Sequence, residues 1–137
     1  MKDKLEIGSL ILRVVLGITF AMHGLAKFQG GIGNTAASFE SMGIPGFMGY
    51  VVGVIELAGG IAVILGLGTK LVSSLFAIIL VVATIKVKWS SGFLGGFELD
   101  LVLLAISLHL ALNGSFLLSL DSLWKNSFKG TNRQIES

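Results

Sequence analysis

The sequence predicts an all-α membrane protein, a bundle of four transmembrane helices. Three observations carry that expectation. Four apolar runs of spanning length occupy most of the 137 residues, and about 20 residues of helix cross ~30 Å of hydrocarbon. The composition, 53% hydrophobic and 13% charged with a mean hydropathy of +0.88, is too apolar for a soluble domain of this length. Nineteen glycines against one proline suit helices whose backbones approach closely in a membrane, and no stretch reads as a strand.

The first span is read over about 7–27. It follows Lys2 and Lys4, but it runs past signal-peptide length and lacks a small-residue cleavage site, so it counts as a span. Residues 28–45 form the long connection. Asn34 or Thr35 is expected to cap a short helix running to Met42, with Gly43 as terminator and Pro45 beyond. Ala36, Phe39 and Met42 recur at helical spacing, which places this piece at the membrane interface or over the bundle mouth. The remaining spans are read over about 46–67, 70–88 and 97–119. Trp89, Phe93 and Phe97 cluster between the last two, as an aromatic belt would. Leu120, Trp124 and Phe128 share a stripe beside Lys125 and Lys129, predicting a second interfacial helix over 120–130 and a flexible tail over 131–137. All of 1–137 reads as a single membrane domain. Lys2, Lys4, Lys70, Lys125, Lys129 and Arg133 fall on one side, and Lys27, Lys86 and Lys88 on the other. The positive-inside rule therefore predicts both termini in the cytoplasm.

The few charges within or beside these spans point to function. A charge at the bilayer centre costs at least ~2.5–3.5 kcal/mol, so such residues face a bundle interior, a wet cavity or each other. Arg13, Gly17, Phe20, Gly24 and Lys27 share one face of the first helix, with His23 on its flank. Gly49, Gly53, Glu56 and Gly60 form a stripe on the second. On the fourth, Glu98, Ala105 and His109 share one face, and Asp100, Ser107 and Gly114 another. With each span centred in the bilayer, Glu56 and His109 fall within roughly 2 Å of the midplane and Arg13 about 6 Å to one side. Those depths predict a deep group of Arg13, Glu56 and His109. They also predict an outer ring pairing Lys27 and Lys86 or Lys88 with Glu98 and Asp100.

Several chemistries are excluded or disfavoured. No cysteine means no disulfide, thiol redox chemistry or iron–sulfur ligation by this chain. The basic residues form no contiguous patch for nucleic acid. No HxxxH or ExxH spacing places metal ligands on one helix face, so no metal site is expected. His23 and His109 differ in predicted depth by about 10 Å, too far apart for bis-histidine haem. No phosphate-binding glycine loop joins a strand to a helix, and no serine is tied to a histidine and an acid.

What remains is recognition of a small, mostly apolar molecule with a few polar oxygens. Glu56, His109 and Arg13 are the expected catalytic group, exchanging protons or donating to oxygen. Phe20, His23, Lys27, Glu98 and Asp100 are the expected ligand-binding residues. A quinone or hydroquinone answers that description, since proton-coupled redox needs donors for one form and acceptors for the other. Composition alone does not choose it over another amphiphile, and no tightly bound cofactor is expected.

The stretches LRVVLGITFAMHGLAKF at Leu12–Phe28 and GVIELAGGIAVILGLGTK at Gly53–Lys70 resemble the DoxX family of small bacterial four-helix membrane proteins. The likeness is greatest to its catechol- and hydroquinone-associated branch, which carries an oxidoreductase label. Carried over, the pattern picks out Arg13, Gly17, His23, Gly24, Lys27, Glu56, Gly60 and Gly66. The resemblance implies a multi-pass protein of the bacterial cell membrane. It also implies a role in resistance to electrophilic quinones or oxidative stress, or in quinone-linked sulfur oxidation. Three readings follow: a membrane oxidoreductase component binding a quinone or hydroquinone, a permease or binding protein for small aromatic compounds, and a scaffold docking a soluble oxidoreductase. A hydrated path from Arg13 through Asn113 would mark the permease. Whether the chain is itself an enzyme stays open, and its small-residue stripes leave room for a homodimer.

Overall fold

A computed structural model describes residues 2–123, which contain no strand. Its helices are α1 (Lys2–Gln29), α2 (Ile32–Ser41), α3 (Phe47–Leu65), α4 (Thr69–Ala83) and α5 (Glu98–Asn113). Among the described residues four segments are long and apolar enough to cross a membrane: Asp3–Gln29, Phe47–Leu65, Thr69–Ser91 and Phe93–Asn113. The third extends α4 through a wider π turn, Thr84–Lys88, and a tight 3-10 turn, Trp89–Ser91. Polarity is inverted relative to a soluble protein: Arg13, Glu56 and Asp100 are buried, while Ile11, Ile18, Val54, Ile61 and Ile78 are exposed. Such a surface suits hydrocarbon, and the helices satisfy their own backbone groups.

Glycines set the register of α1 against α3. A methyl group at Gly17, Gly24 or Gly60 would strike the backbone at Gly60 and Ile64, at Leu57, or at Ala21. The two helices therefore run antiparallel, with residues 17, 21 and 24 opposite 64, 60 and 57. Centring the spans had put residue 17 opposite 56–57. The packed register differs by about seven residues, or ~10 Å. Small residues allow this close approach, and van der Waals contact rewards it.

The second helical pair is α4 with α5, joined to the first through Leu16, Phe20, Val63, Phe76, Leu103 and Leu110. The Phe20 and Phe76 rings stack with centroids 3.8 Å apart and planes at 4°. Gly59 meets Val72 and Phe76, so α3 and α4 touch near their shared turn.

Several boundaries depart from expectation. The fourth span stops at Asn113, not 119, because Gly114 takes φ 69° and the following carbonyls turn away to other partners. Helical backbone resumes over 120–123. The rest of the expected 120–130 helix and the 131–137 tail lie outside the described residues. α2 starts after Gly31 with no side-chain cap, and Asn34 instead reaches back to the Gly30 carbonyl at 2.9 Å. Its end is as anticipated, with Gly43 at φ 78°. α2 lies on α3, where the Ala36 backbone fits against Gly49 and Ile32 against Gly53. In the α4–α5 connection Phe97 contacts both Trp89 and Phe93, each at a centroid distance of 5.5 Å.

Candidate binding cavity

Between the two helical pairs lies a cavity of about 430 Å³, within the size range of small-molecule sites. Val52, Ile79, Leu80, Ala83 and Leu103 supply much of its wall, Phe20 borders it, and Phe39 and Met42 of the α2 end reach over it. Behind the lining, the Phe20 ring stacks on Phe76, which is fully buried in the core.

Two ion pairs interrupt this apolar lining. Lys27 Nζ donates to Glu56 Oε2 at 2.6 Å, with the carboxylate side chain 7% exposed. Lys27 sits in the last turn of α1, where the helix dipole favours a cation. Glu56 projects from mid-α3 between Gly53 and Gly60, whose lack of side chains lets α1 come within reach. On the facing wall Lys88 Nζ donates to Asp100 Oδ1 at 2.8 Å. Asp100 is in the first turn of α5, where the dipole favours an acid. The Thr84 hydroxyl donates to Leu80 O at 2.8 Å, at the start of the wide turn that carries Lys88. His23 and Lys86 also border the cavity, and among the described residues neither has a side-chain hydrogen-bond or ion-pair partner.

Of the residues expected to bind ligand, Phe20, His23, Lys27 and Asp100 converge here, together with Glu56. The expected deep group of Arg13, Glu56 and His109 does not assemble. Arg13 lies at the opposite end, donating through Nη1 to Ser115 O (3.2 Å) and Leu117 O (3.0 Å) and through Nη2 to Leu118 O (3.0 Å). His109 Nε2 and Ser9 Oγ are 3.1 Å apart in the α1–α5 groove. Glu98 Oε1 accepts from Gly95 N at 3.2 Å, within the α4–α5 connection. The glycine-set register explains the first correction: sliding α1 by two turns carries Arg13 out of reach of Glu56 and brings Lys27 to it. The outer ring forms in part. Lys88 takes Asp100 as anticipated, while Lys27 takes Glu56 in place of Glu98 or Asp100.

At the Arg13 end, Asp121 closes the α3–α4 turn. Its Oδ2 accepts from Gly68 N at 2.9 Å and Thr69 N at 3.4 Å, and its own N–H donates to Gly66 O at 3.1 Å. Gly66, at φ 74°, leaves the space that Ser119 and the Arg13 guanidinium fill. Among the described residues no group of three or more His, Asp or Glu is placed to hold a metal ion.

The cavity residues that sequence reasoning missed are the apolar ones, among them Met48, Val52 and Ile79 on its walls. A cavity-facing isoleucine and a lipid-facing one look alike in sequence. The α2 stripe of Phe39 and Met42 was the available signal.

Fold and cavity together define a small multi-pass membrane protein in which two ion pairs border a mainly apolar chamber. The chain belongs to the DoxX family, whose model matches residues 8–89, from α1 through Trp89. It is 51% identical over 121 residues to Putative oxidoreductase CatD of Bacillus subtilis (strain 168), covering 88% of this chain and 90% of that one. It is 37% identical over 70 residues to Inner membrane protein YqjF of Escherichia coli (strain K12), covering 51% of this chain and 53% of that protein. No solved structure matches it.

Proposed function

We propose that the protein is the membrane component of an oxidoreductase system and binds a quinone or its hydroquinone in this cavity. The observation that carries the reading is the Lys27–Glu56 pair, held at 2.6 Å on the wall of an otherwise mainly apolar chamber. A quinone needs donors at its carbonyl oxygens, and a hydroquinone needs acceptors for its hydroxyls. One ammonium–carboxylate pair offers both, and the apolar walls hold the ring. His23, one turn before Lys27, adds a group suited to proton exchange at neutral pH. The oxidoreductase name of the Bacillus relative supports the same class.

The family resemblance links this activity to resistance against quinones and oxidative stress in the bacterial cell membrane, and the lysine distribution supports cytoplasmic termini. With no cysteine in the chain and no sequence motif for a resident redox centre, a soluble partner or diffusible reductant supplies the electrons. The packed Phe20–Phe76 stack, with Leu16, Val63 and Leu110 in the same buried core cluster, favours a binding chamber that ends at this core over a passage continuing to Arg13.

The test is equilibrium binding of a quinone and its hydroquinone to protein in lipid nanodiscs, with empty nanodiscs subtracted. Saturable binding is expected, weakened roughly tenfold or more by Glu56→Gln. The proposal fails if the wild type shows no saturable binding, or if folded Glu56→Gln binds both forms as the wild type does.

A further inference from the structure

The second ion pair of the cavity is not equivalent to the first. Asp100 borders the chamber and is 4% exposed. Its Oδ1 accepts from Lys88 at 2.8 Å, but its Oδ2 is buried with no hydrogen-bond partner among the described residues. A buried carboxylate oxygen without a donor is costly, because it has given up water for nothing. The lysines differ in this respect: the Lys27 and Lys88 side chains are 28% and 35% exposed against 5% for Asp100, and among the described cavity-lining residues Asp100 Oδ2 is the one buried polar atom left without a partner. The unmet demand in this chamber is for a hydrogen-bond donor.

From this asymmetry we propose that Asp100 makes the cavity selective for the reduced, hydroxyl-bearing form of its ligand. The inference rests on the reading that the chamber takes a quinone–hydroquinone pair, and it adds which member is held and by which residue. Asp100 lines the chamber and rotation about its Cβ–Cγ bond is soft, so the proposed contact requires only a turn that presents Oδ2 to the ligand, with the flexible Lys88 ammonium following. A hydroquinone O–H then donates to Oδ2 and satisfies it. A quinone carbonyl at the same place sets one acceptor against another. The protein's desolvation cost is already present in the empty site, so only the donor-bearing ligand recovers it. Asp100 lies beyond residues 8–89, the segment that the family model matches.

The probes are tetramethyl-1,4-benzoquinone, which has no free ring carbon for addition by lysine, its hydroquinone, and the dimethyl ether of that hydroquinone. Binding is measured without oxygen in nanodiscs, with empty discs subtracted. The hydroquinone is expected to bind roughly ten- to hundredfold more tightly than the quinone. A tenfold preference raises the midpoint potential of the bound two-electron couple by about 30 mV. The ether, having lost both donors, is expected to bind no better than the quinone.

In Asp100→Asn the Lys88 ammonium keeps an oxygen facing it, so the amide nitrogen takes the place of Oδ2. An acceptor becomes a donor, and the preference is expected to invert. Equal affinity of the wild type for the two redox forms, or retained affinity for the ether, overturns the inference without any variant. An unchanged preference in folded Asp100→Asn also overturns it. If none of the three probes binds, the quinone reading itself falls and takes this inference with it.

Discussion

Replacing Arg13 by methionine separates structure from site. Methionine keeps much of the length of arginine without a donor, so Arg13→Met leaves the carbonyls of Ser115, Leu117 and Leu118 unpartnered by this side chain. Hydrogen bonds from a charged donor contribute about 1.5–3 kcal/mol each. The Leu117 and Leu118 bonds are only part-buried, so water recovers some of the loss, and a net destabilisation of about 3–4 kcal/mol is expected. The damage should be local, loosening residues 114–121 and the α3–α4 turn that they cover. Thermal unfolding in detergent gives the global effect, and amide hydrogen exchange over 114–121 locates it. Ligand affinity, measured on the folded fraction, should stay within about threefold of wild type, because the Leu16, Val63 and Leu110 core lies between. A variant of unchanged stability whose quinone binding is lost would refute this, and would return Arg13 to the binding machinery.

Two further outcomes follow from the same packing. Gly24→Ala drives a methyl group into the Leu57 backbone, so it should cost about 1–3 kcal/mol and weaken the Lys27–Glu56 contact by separating α1 from α3; thermal unfolding and binding in one preparation check both. In a double-mutant cycle Lys27→Met should destabilise more than the pair Lys27→Met with Glu56→Gln, since the single change strands a buried carboxylate. A coupling energy of about 1–3 kcal/mol is expected, and strict additivity would show that the pair is not formed.

Faces were legible in the sequence, and relative heights were not. The 100° periodicity put Arg13, Gly17, Phe20 and Gly24 on one stripe, and all four are buried. It did the same for Gly49, Gly53, Glu56 and Gly60. The fourth helix was half readable: Asp100 and Ser107 are buried as their stripe implied, but Ala105, placed beside His109, is exposed. Heights failed because a hydropathy window centres a span on the bilayer, whereas glycine contacts fix one helix against its neighbour. α1 is 28 residues long against 19 for α3, so the two midpoints have no reason to coincide. The notches that settle the register, Gly24 on Leu57 and Gly60 on Ala21, were visible as glycines but not as partners.

The division of labour among the charges follows from that register. Lys27–Glu56 ties α1 to α3, and Lys88–Asp100 ties the end of the α4 span to α5. Each bridge lies inside one helical pair, and the aromatic and aliphatic core joins the two pairs. A buried ion pair is weak evidence for stability, because apolar replacements often pack as well or better. Glycine packing already fixes α1 against α3, so register alone does not call for a Lys27–Glu56 bridge beside it. What the two bridges have in common is the chamber between them, where each presents an ammonium and a carboxylate from opposite walls. That common position, more than the presence of buried charge, makes the chamber the functional candidate and leaves Arg13, equally buried but sealed by backbone carbonyls, as a strut.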